Sequence, residues 1–214
     1  MKSYVILISG RGSNMQALLD AQLPGACVAV ISNRPEAAGL AWAAARGLPT
    51  AVVDHKRYAS RESFDAALAE EIERQAGGRA DFVFLAGFMR ILTAGFVERF
   101  AGRLVNIHPS LLPAFPGLHT HETALRTGVR VHGCTVHFVT ATLDCGPIIV
   151  QAVVPVLPGD TVQELAARVL EQEHLAYPQA ARGLLAGRCR LEDGRVLWRD
   201  DTTSPAAALR VPAG

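Results

Sequence analysis

SYVILISGRGSNMQALLDAQ, the run from Ser3 to Gln22, decides the architecture. Ser3–Ser9 is a short apolar stretch that stops at a glycine-rich turn, and Asn14–Gln22 continues with helical periodicity. A strand, a tight turn and a helix in that order open a βαβ unit, the building block of a parallel sheet.

The pattern repeats outward from this unit. Cys27–Ser32 and Thr50–Val53 read as strands, and Pro35–Arg46 and Glu62–Gln75 read as helices. Asp81–Ala86 (DFVFLA) and Arg103–Ile107 (RLVNI) are continuous apolar runs bracketed by polar or glycine residues, the mark of central strands buried on both faces. Beyond residue 107 the texture changes. A loop with Pro109, Pro113, Pro116 and Gly117 precedes longer strands at Gly133–Val139 and Pro147–Val156, which read as antiparallel. A helix at Thr161–Leu185 and a hairpin at Arg188–Trp198, turning on Asp193-Gly194, close the fold. The expectation is an α/β, Rossmann-like fold with a mainly parallel twisted sheet, flanking helices and a C-terminal hairpin. One domain is expected over residues 1–200, followed by a disordered Ala/Pro/Thr-rich tail at 201–214.

Composition bounds the function. Half of the 214 residues are hydrophobic, and 21 basic against 20 acidic side chains leave a net charge of +1. Near-neutrality gives no broad electrostatic footprint for nucleic acid or an anionic membrane, so an anionic ligand must be met by a local site. The apolar start at Val5–Ile8 is much too short for a signal segment or a membrane span, and a cytoplasmic protein is expected. Cys27, Cys134, Cys145 and Cys189 form no CxxC pair, so neither a disulfide framework nor structural zinc is expected.

In the turn Ser9-Gly10-Arg11-Gly12-Ser13-Asn14, backbone N–H groups, the Ser13 hydroxyl and a helix N-terminus can converge on an anion, with phosphate the natural guest. A dinucleotide fits poorly. Met15 stands at the third glycine of GxGxxG, and the second strand ends in Ser32-Asn33-Arg34 without an acidic residue for a ribose. The Gly-Lys-Ser/Thr of an ATP loop is missing as well. The plainer alternative is a tight turn whose glycines permit positive φ and whose Ser13 or Asn14 caps the helix.

Asn106 and His108 lie two residues apart at the carboxyl end of an expected central strand, so both side chains can address one point. An amide and an imidazolium suit an oxyanion, and Asp144, in Leu143-Asp144-Cys145-Gly146-Pro147, could orient His108 and help move a proton. The alternatives are a strand-end amide, a polar turn histidine and an Asx turn. No Ser or Cys stands in a nucleophile elbow. His119, His121, His132 and His137 offer no third ligand at metal spacing, so no metal is expected and they read as loop polar groups or substrate contacts.

Five stretches in order, ISGRGSNMQALLDA (8–21), LAGFMRIL (85–92), NIHPSLLPAFPGLHTHETAL (106–125), VHFVTATLDCGPIIVQ (136–151) and QEHLAYP (172–178), resemble the glycinamide ribonucleotide formyltransferases of purine biosynthesis. The resemblance runs from Val5 to about Trp198. It implies a formyltransferase domain that uses 10-formyltetrahydrofolate as cosubstrate and delivers the formyl group to the amine of glycinamide ribonucleotide, without metal or covalent intermediate. It further implies that Gly12, Ser13 and Asn14 take the phosphoribosyl end and that Glu173 binds the ribose. Met89, Arg90, Ile91, Leu92, Asn106 and the segment Thr140, Ala141, Thr142, Leu143 and Asp144 would hold the folate, with Arg61 near its glutamyl tail. Asn106, His108 and Asp144 would be catalytic.

Arg11 departs from the family pattern by adding positive charge at the phosphate turn. The small-molecule substrates leave nucleic acid and membrane out as partners, and a monomer or homodimer is expected. The rival readings are a 10-formyltetrahydrofolate deformylase or another folate-dependent formyltransferase, each expected to carry an extra domain. A noncatalytic nucleotide-binding module and a nicotinamide oxidoreductase stand further off.

Overall fold

The computed structural model describes residues 1–199; the tail expected to be disordered lies outside them. The elements run β1 (Ser3–Ile8), α1 (Ser13–Asp20), β2 (Ala26–Ser32), α2 (Ala38–Ala44), β3 (Thr50–Val52), α3 (Arg61–Gln75), β4 (Phe82–Leu85), α4 (Ala94–Arg99), β5 (Leu104–His108), α5 (Thr120–Thr127), β6 (Val131–Phe138), β7 (Ile148–Pro155), α6 (Val162–Leu185), β8 (Cys189–Glu192) and β9 (Arg195–Trp198). Seven strands form one sheet in the order β3-β2-β1-β4-β5-β6-β7. The pairings from β3 through β5 are parallel, whereas β6 and β7 are antiparallel additions at one edge. β8 and β9 pair as the expected hairpin.

Alternation along the central strands explains why helices cover both faces. Tyr4, Ile6 and Ile8 of β1 point to the side of Met15, Leu18 and the α6 residues Val169, Tyr177 and Leu184. Val5 and Leu7 point to the other side, onto Phe64, Leu68 and Ile72 of α3 and Phe96 of α4. Burying each such side chain contributes about 1.5–3 kcal/mol, so neither face tolerates a register slip.

Local signals set the helix ends. Ser60 and Ser63 form a capping box at the start of α3, and Thr161 and Glu164 form one at the start of α6. The expected helix at Pro35–Arg46 shortens to Ala38–Ala44, because Asn33 to Ala37 make a turn closed by Ala37 N–H donating to Arg34 O at 3.3 Å. α4 and α5 were not foreseen from periodicity. Each is a short helix beside Pro- or Gly-containing loops, and α4 starts on Thr93, whose hydroxyl accepts from Phe96 N–H.

The Tyr177 hydroxyl of α6 lies 3.0 Å from both the Leu85 and the Val105 carbonyl oxygens, which belong to neighbouring strands β4 and β5. It is fully buried. The helix that runs across the sheet is thereby tied to the strand ends where the polar residues collect.

Candidate active site

The turn after β1 is shaped by main chain. Gly12 has φ 74°, in the left-handed region, and its carbonyl accepts from Gln16 N–H at 2.9 Å to start α1. No side chain caps α1, so the capping alternative for Ser13 and Asn14 does not hold and the first amides are left for another acceptor. Asn14 instead turns inward, its Nδ2 donating to Glu173 Oε2 of α6 at 2.7 Å. Glu173 is 8% exposed, and burial raises its carboxyl above the ordinary range while the Asn14 bond pulls it back. Residues 14 and 173, far apart in sequence, thus meet.

Beside this turn opens a cleft of about 330 Å³ lined by Arg11, Gly12, Ser13, Asn14, Arg34 and Met89 among others. The segment after β4 forms its far wall and is fastened from below. Met89 N–H donates to Ser9 Oγ at 2.8 Å, and Ser9 Oγ–H donates to Asn33 Oδ1 at 2.6 Å. Thr93 N–H donates to Asp65 Oδ2 at 2.6 Å, and the Arg90 guanidinium lies 5.1 Å above the Phe64 ring. Phe88 and Leu92 pack inward, whereas Met89 and Ile91 are 68% and 62% exposed. Large apolar side chains presented next to a cleft are a surface for a flat ligand. Arg61 is exposed at the first turn of α3, one turn before Phe64.

Asn106 and His108 share one face of β5, and across β6 they pair with His137 and Thr135. His137 Nδ1–H donates to Phe138 O at 2.9 Å, and burial lowers its pKa, so its Nε2 is the acceptor that Asn106 Nδ2 faces at 3.5 Å. That contact fixes which way the Asn106 amide points. His108 is 6% exposed, and its Nε2–H donates to the Phe115 carbonyl at 3.0 Å. His108 Nδ1 stands 3.6 Å from Asp144 Oδ2, with both side chains buried. Asp144 has φ 51° and its Oδ2 accepts from Gly117 N–H at 2.9 Å. The Phe115 carbonyl and the Asp144 carboxylate together hold the imidazole in one orientation.

The loop from Pro109 to Phe115 is held by side chains from the antiparallel edge. Thr135 Oγ1 accepts from Leu112 N–H at 3.0 Å and donates to Ser110 O at 2.7 Å, and Gln151 Nε2 donates to Leu112 O at 2.9 Å. In the other bordering loop, Thr140 Oγ1 donates to Thr142 O at 3.0 Å, and Ala141, Thr142 and Leu143 are exposed. Gly146 closes that loop, since a Cβ there would lie 1.7 Å from Phe138 O.

The remaining histidines are not all loop residues. His132 and His137 sit on β6 and His121 on α5, with His132 Nε2 3.2 Å from His121 Nδ1. Burial and the neighbouring His121 push His132 down to about 4. Among the described residues no group of three or more His, Cys, Asp or Glu is placed to hold a metal ion. No described helix is long and apolar enough to cross a membrane.

Sequence reasoning gave Gly39 and Phe115 no part, and did not find the supporting bonds that Ser9, Asn33 and His137 make. Gly39 touches the glycine turn from α2: its N–H donates to Gly10 O at 3.1 Å, and a Cβ would come within 2.6 Å of Ile8 Cδ1. A glycine inside an apolar helical run was the available signal. Phe115 acts through its carbonyl, for which side-chain identity gives no signal.

Comparison with known proteins agrees with this geometry. A family model described as formyl transferase matches residues 2–181. Phosphoribosylglycinamide formyltransferase of Escherichia coli is 47% identical over 207 residues, covering 95% of this chain and 96% of that protein. The trifunctional purine biosynthetic protein adenosine-3 of Drosophila melanogaster is 49% identical over 192 residues, 87% of this chain but 14% of that much longer protein. The crystal structure of glycinamide ribonucleotide transformylase 1 from Symbiobacterium toebii superposes with a TM-score of 0.88 at 48% identity, covering 92% of this chain and 94% of that one. With fold, matched length and identity in agreement, the chain belongs to the formyl transferase family.

Proposed function

We propose that the chain transfers the formyl group of 10-formyltetrahydrofolate to the amine of 5'-phosphoribosylglycinamide, giving N-formylglycinamide ribonucleotide and tetrahydrofolate. The observation that carries this reading is the placement, at the carboxyl ends of the neighbouring parallel strands β1, β4 and β5, of a cleft with no described acidic lining residue and of His108, paired with the buried Asp144 side chain. The identity to relatives named for this activity supports it along nearly the whole chain.

In this reading Gly12, Ser13 and Asn14 take the phosphate through amides and hydroxyl, and Glu173 accepts from ribose hydroxyls. Met89, Arg90, Ile91 and Leu92 face the folate from one side and Thr140, Ala141, Thr142 and Leu143 from the other, with Arg61 toward the glutamyl tail. The neutral amine attacks the formyl carbon, forming the new C–N bond as the bond to the folate nitrogen breaks. Negative charge grows on the formyl oxygen, where Asn106 and His108 stabilise it. His108 Nε2–H now donates to the Phe115 carbonyl. The formyl oxygen takes over that donor, one carbonyl oxygen replacing another. Asp144, facing Nδ1, supplies the opposite charge when the ring is a cation. The amine loses one proton and the departing folate nitrogen gains one, carried by Asp144, His108 and a water. The enzyme works in the cytoplasm on small molecules, as a monomer or homodimer.

The test follows tetrahydrofolate production with and without the nucleotide, together with mass detection of the formylated product. Nucleotide-dependent turnover with matching formylated product is expected. Turnover that ignores the nucleotide would make water the acceptor and the protein a deformylase. Absence of turnover with either would overturn the reading.

A further inference from the structure

The glycine turn is one wall of the cleft; Arg34, just after β2, contributes to another. Its backbone is fixed there, with Arg34 N–H donating to Ser32 Oγ at 3.0 Å and the preceding Asn33 held by Ser9 at 2.6 Å. Arg11 and Arg34 are both exposed residues lining this one space, and no described Asp or Glu lines it. The nearest carboxylate through a bond is Glu173, behind Asn14, and burial disfavours its charged form. The cleft therefore concentrates positive charge in a chain whose net charge is only +1.

An independent observation marks the cleft as a ligand site. Asn14 is 9% exposed and lines it, yet its Oδ1 accepts no hydrogen bond from any described residue. A buried acceptor left open calls for a donor on the ligand. Two guanidinium groups call for anionic charge, and the open acceptor for a hydroxyl, which together describe a sugar phosphate.

We infer that Arg11 and Arg34 act as a guanidinium pair, one from each of two adjacent loops, that selects the doubly charged phosphate monoester of the sugar and sets its affinity. The inference rests on the reading above that the cleft takes the phosphoribosyl end. Two cations interact about twice as strongly with a dianion as with a monoanion, and the difference is screened by salt. Neither arginine lies on the strand or loop that carries Asn106, His108 and Asp144, so their contribution falls on binding.

The test measures ribose 5-phosphate and unphosphorylated ribose binding by calorimetry, with steady-state kinetics, for the full chain and for R11Q, R34Q and the double variant. Each single substitution is expected to weaken ribose 5-phosphate by about 3- to 10-fold and the pair by about 10- to 100-fold, the range of one and two solvent-screened charge contacts. KM for the nucleotide should rise in parallel, with kcat held within about twofold and ribose binding unmoved. The salt dependence of ribose 5-phosphate binding should flatten in the double variant. Unchanged affinity in the double variant overturns the inference, and so does an effect confined to one arginine. Native protein that binds ribose 5-phosphate through both arginines but transfers no formyl group would remove the proposed function and leave this inference standing. Native transfer with affinity blind to both substitutions would do the reverse.

Discussion

The proposed anion cleft and the proposed catalytic corner are built from different materials. At Gly10–Asn14 the shape comes from main chain: a left-handed Gly12, uncapped amides at the start of α1, and Gly39 pressed against the turn. At the end of β5 it comes from side chains, each held by a named partner: Asn106 by His137, His108 by Phe115 O and Asp144, and Asp144 by Gly117. Main chain offers several equivalent donors, so losing one side chain there is buffered. The corner has one group per task. The two regions should therefore respond differently to the same kind of substitution.

The largest effect is expected at the corner. Asn106→Ala or His108→Ala should lower kcat by about 10²–10³ with little change in nucleotide KM, the cost of one oxyanion donor. Near-normal turnover in either variant would end the contrast between the regions, because the corner would then be buffered as well.

Next in size is Gly39→Ala, which probes whether the cleft depends on backbone shape. A Cβ there meets Ile8 Cδ1 at 2.6 Å and the carbonyls of Gly10 and Arg11 at 3.2 Å. Stability should drop by about 1–3 kcal/mol and nucleotide KM should rise while kcat holds, measured by denaturant melts and steady-state kinetics. A fall in kcat with unchanged KM would show that the turn serves the chemistry.

A pH series sharpens the comparison from the corner's side. The His132 imidazole, near His108 and in contact with His121, is pushed from 6.5 down to about 4 in the folded chain. A depressed folded pKa means the unfolded chain binds the proton first, so stability is full above pH 6.5 and is lost as pH falls toward 4. The loss should be on the order of 1–3 kcal/mol in melts across that window, and His132→Gln should flatten it. A melt curve unaffected by that substitution would place the titration elsewhere.

The smallest effect is expected for Ser13→Ala. Neighbouring amides keep the anion, so KM should rise by about 2- to 5-fold, the worth of roughly one neutral hydrogen bond. A loss of 100-fold would mean the cleft relies on side chains as heavily as the corner does.

The same division explains what the sequence disclosed. Apolar runs such as DFVFLA revealed β4 and its central place, and the change of texture after residue 107 marked the antiparallel edge, because burial on both faces or one leaves its own pattern. α4 and α5 escaped because Gly95 interrupts the one and the other is a largely polar run directly after the Pro- and Gly-containing loop, so neither presents an apolar stripe. Parity along β5 put Asn106 and His108 on one face. Spacing alone could not show that Asp144 reaches His108 across 35 intervening positions; the residue types suggested the pairing and the family resemblance implied a shared role, and the structure has them 3.6 Å apart. Ser9, Asn33 and the Phe115 carbonyl stayed hidden, since their parts depend on which loops the folded sheet sets side by side.

Tyr177 bears on how the two substrates stay at a working distance. Glu173 sits one helical turn from it on α6, and Asn106 follows directly after the Val105 carbonyl that the phenol reaches. One phenol thus references Glu173 and Asn106 to a single fixed point between β4 and β5. In the proposed reaction that shared anchor would set the span between amine and formyl carbon.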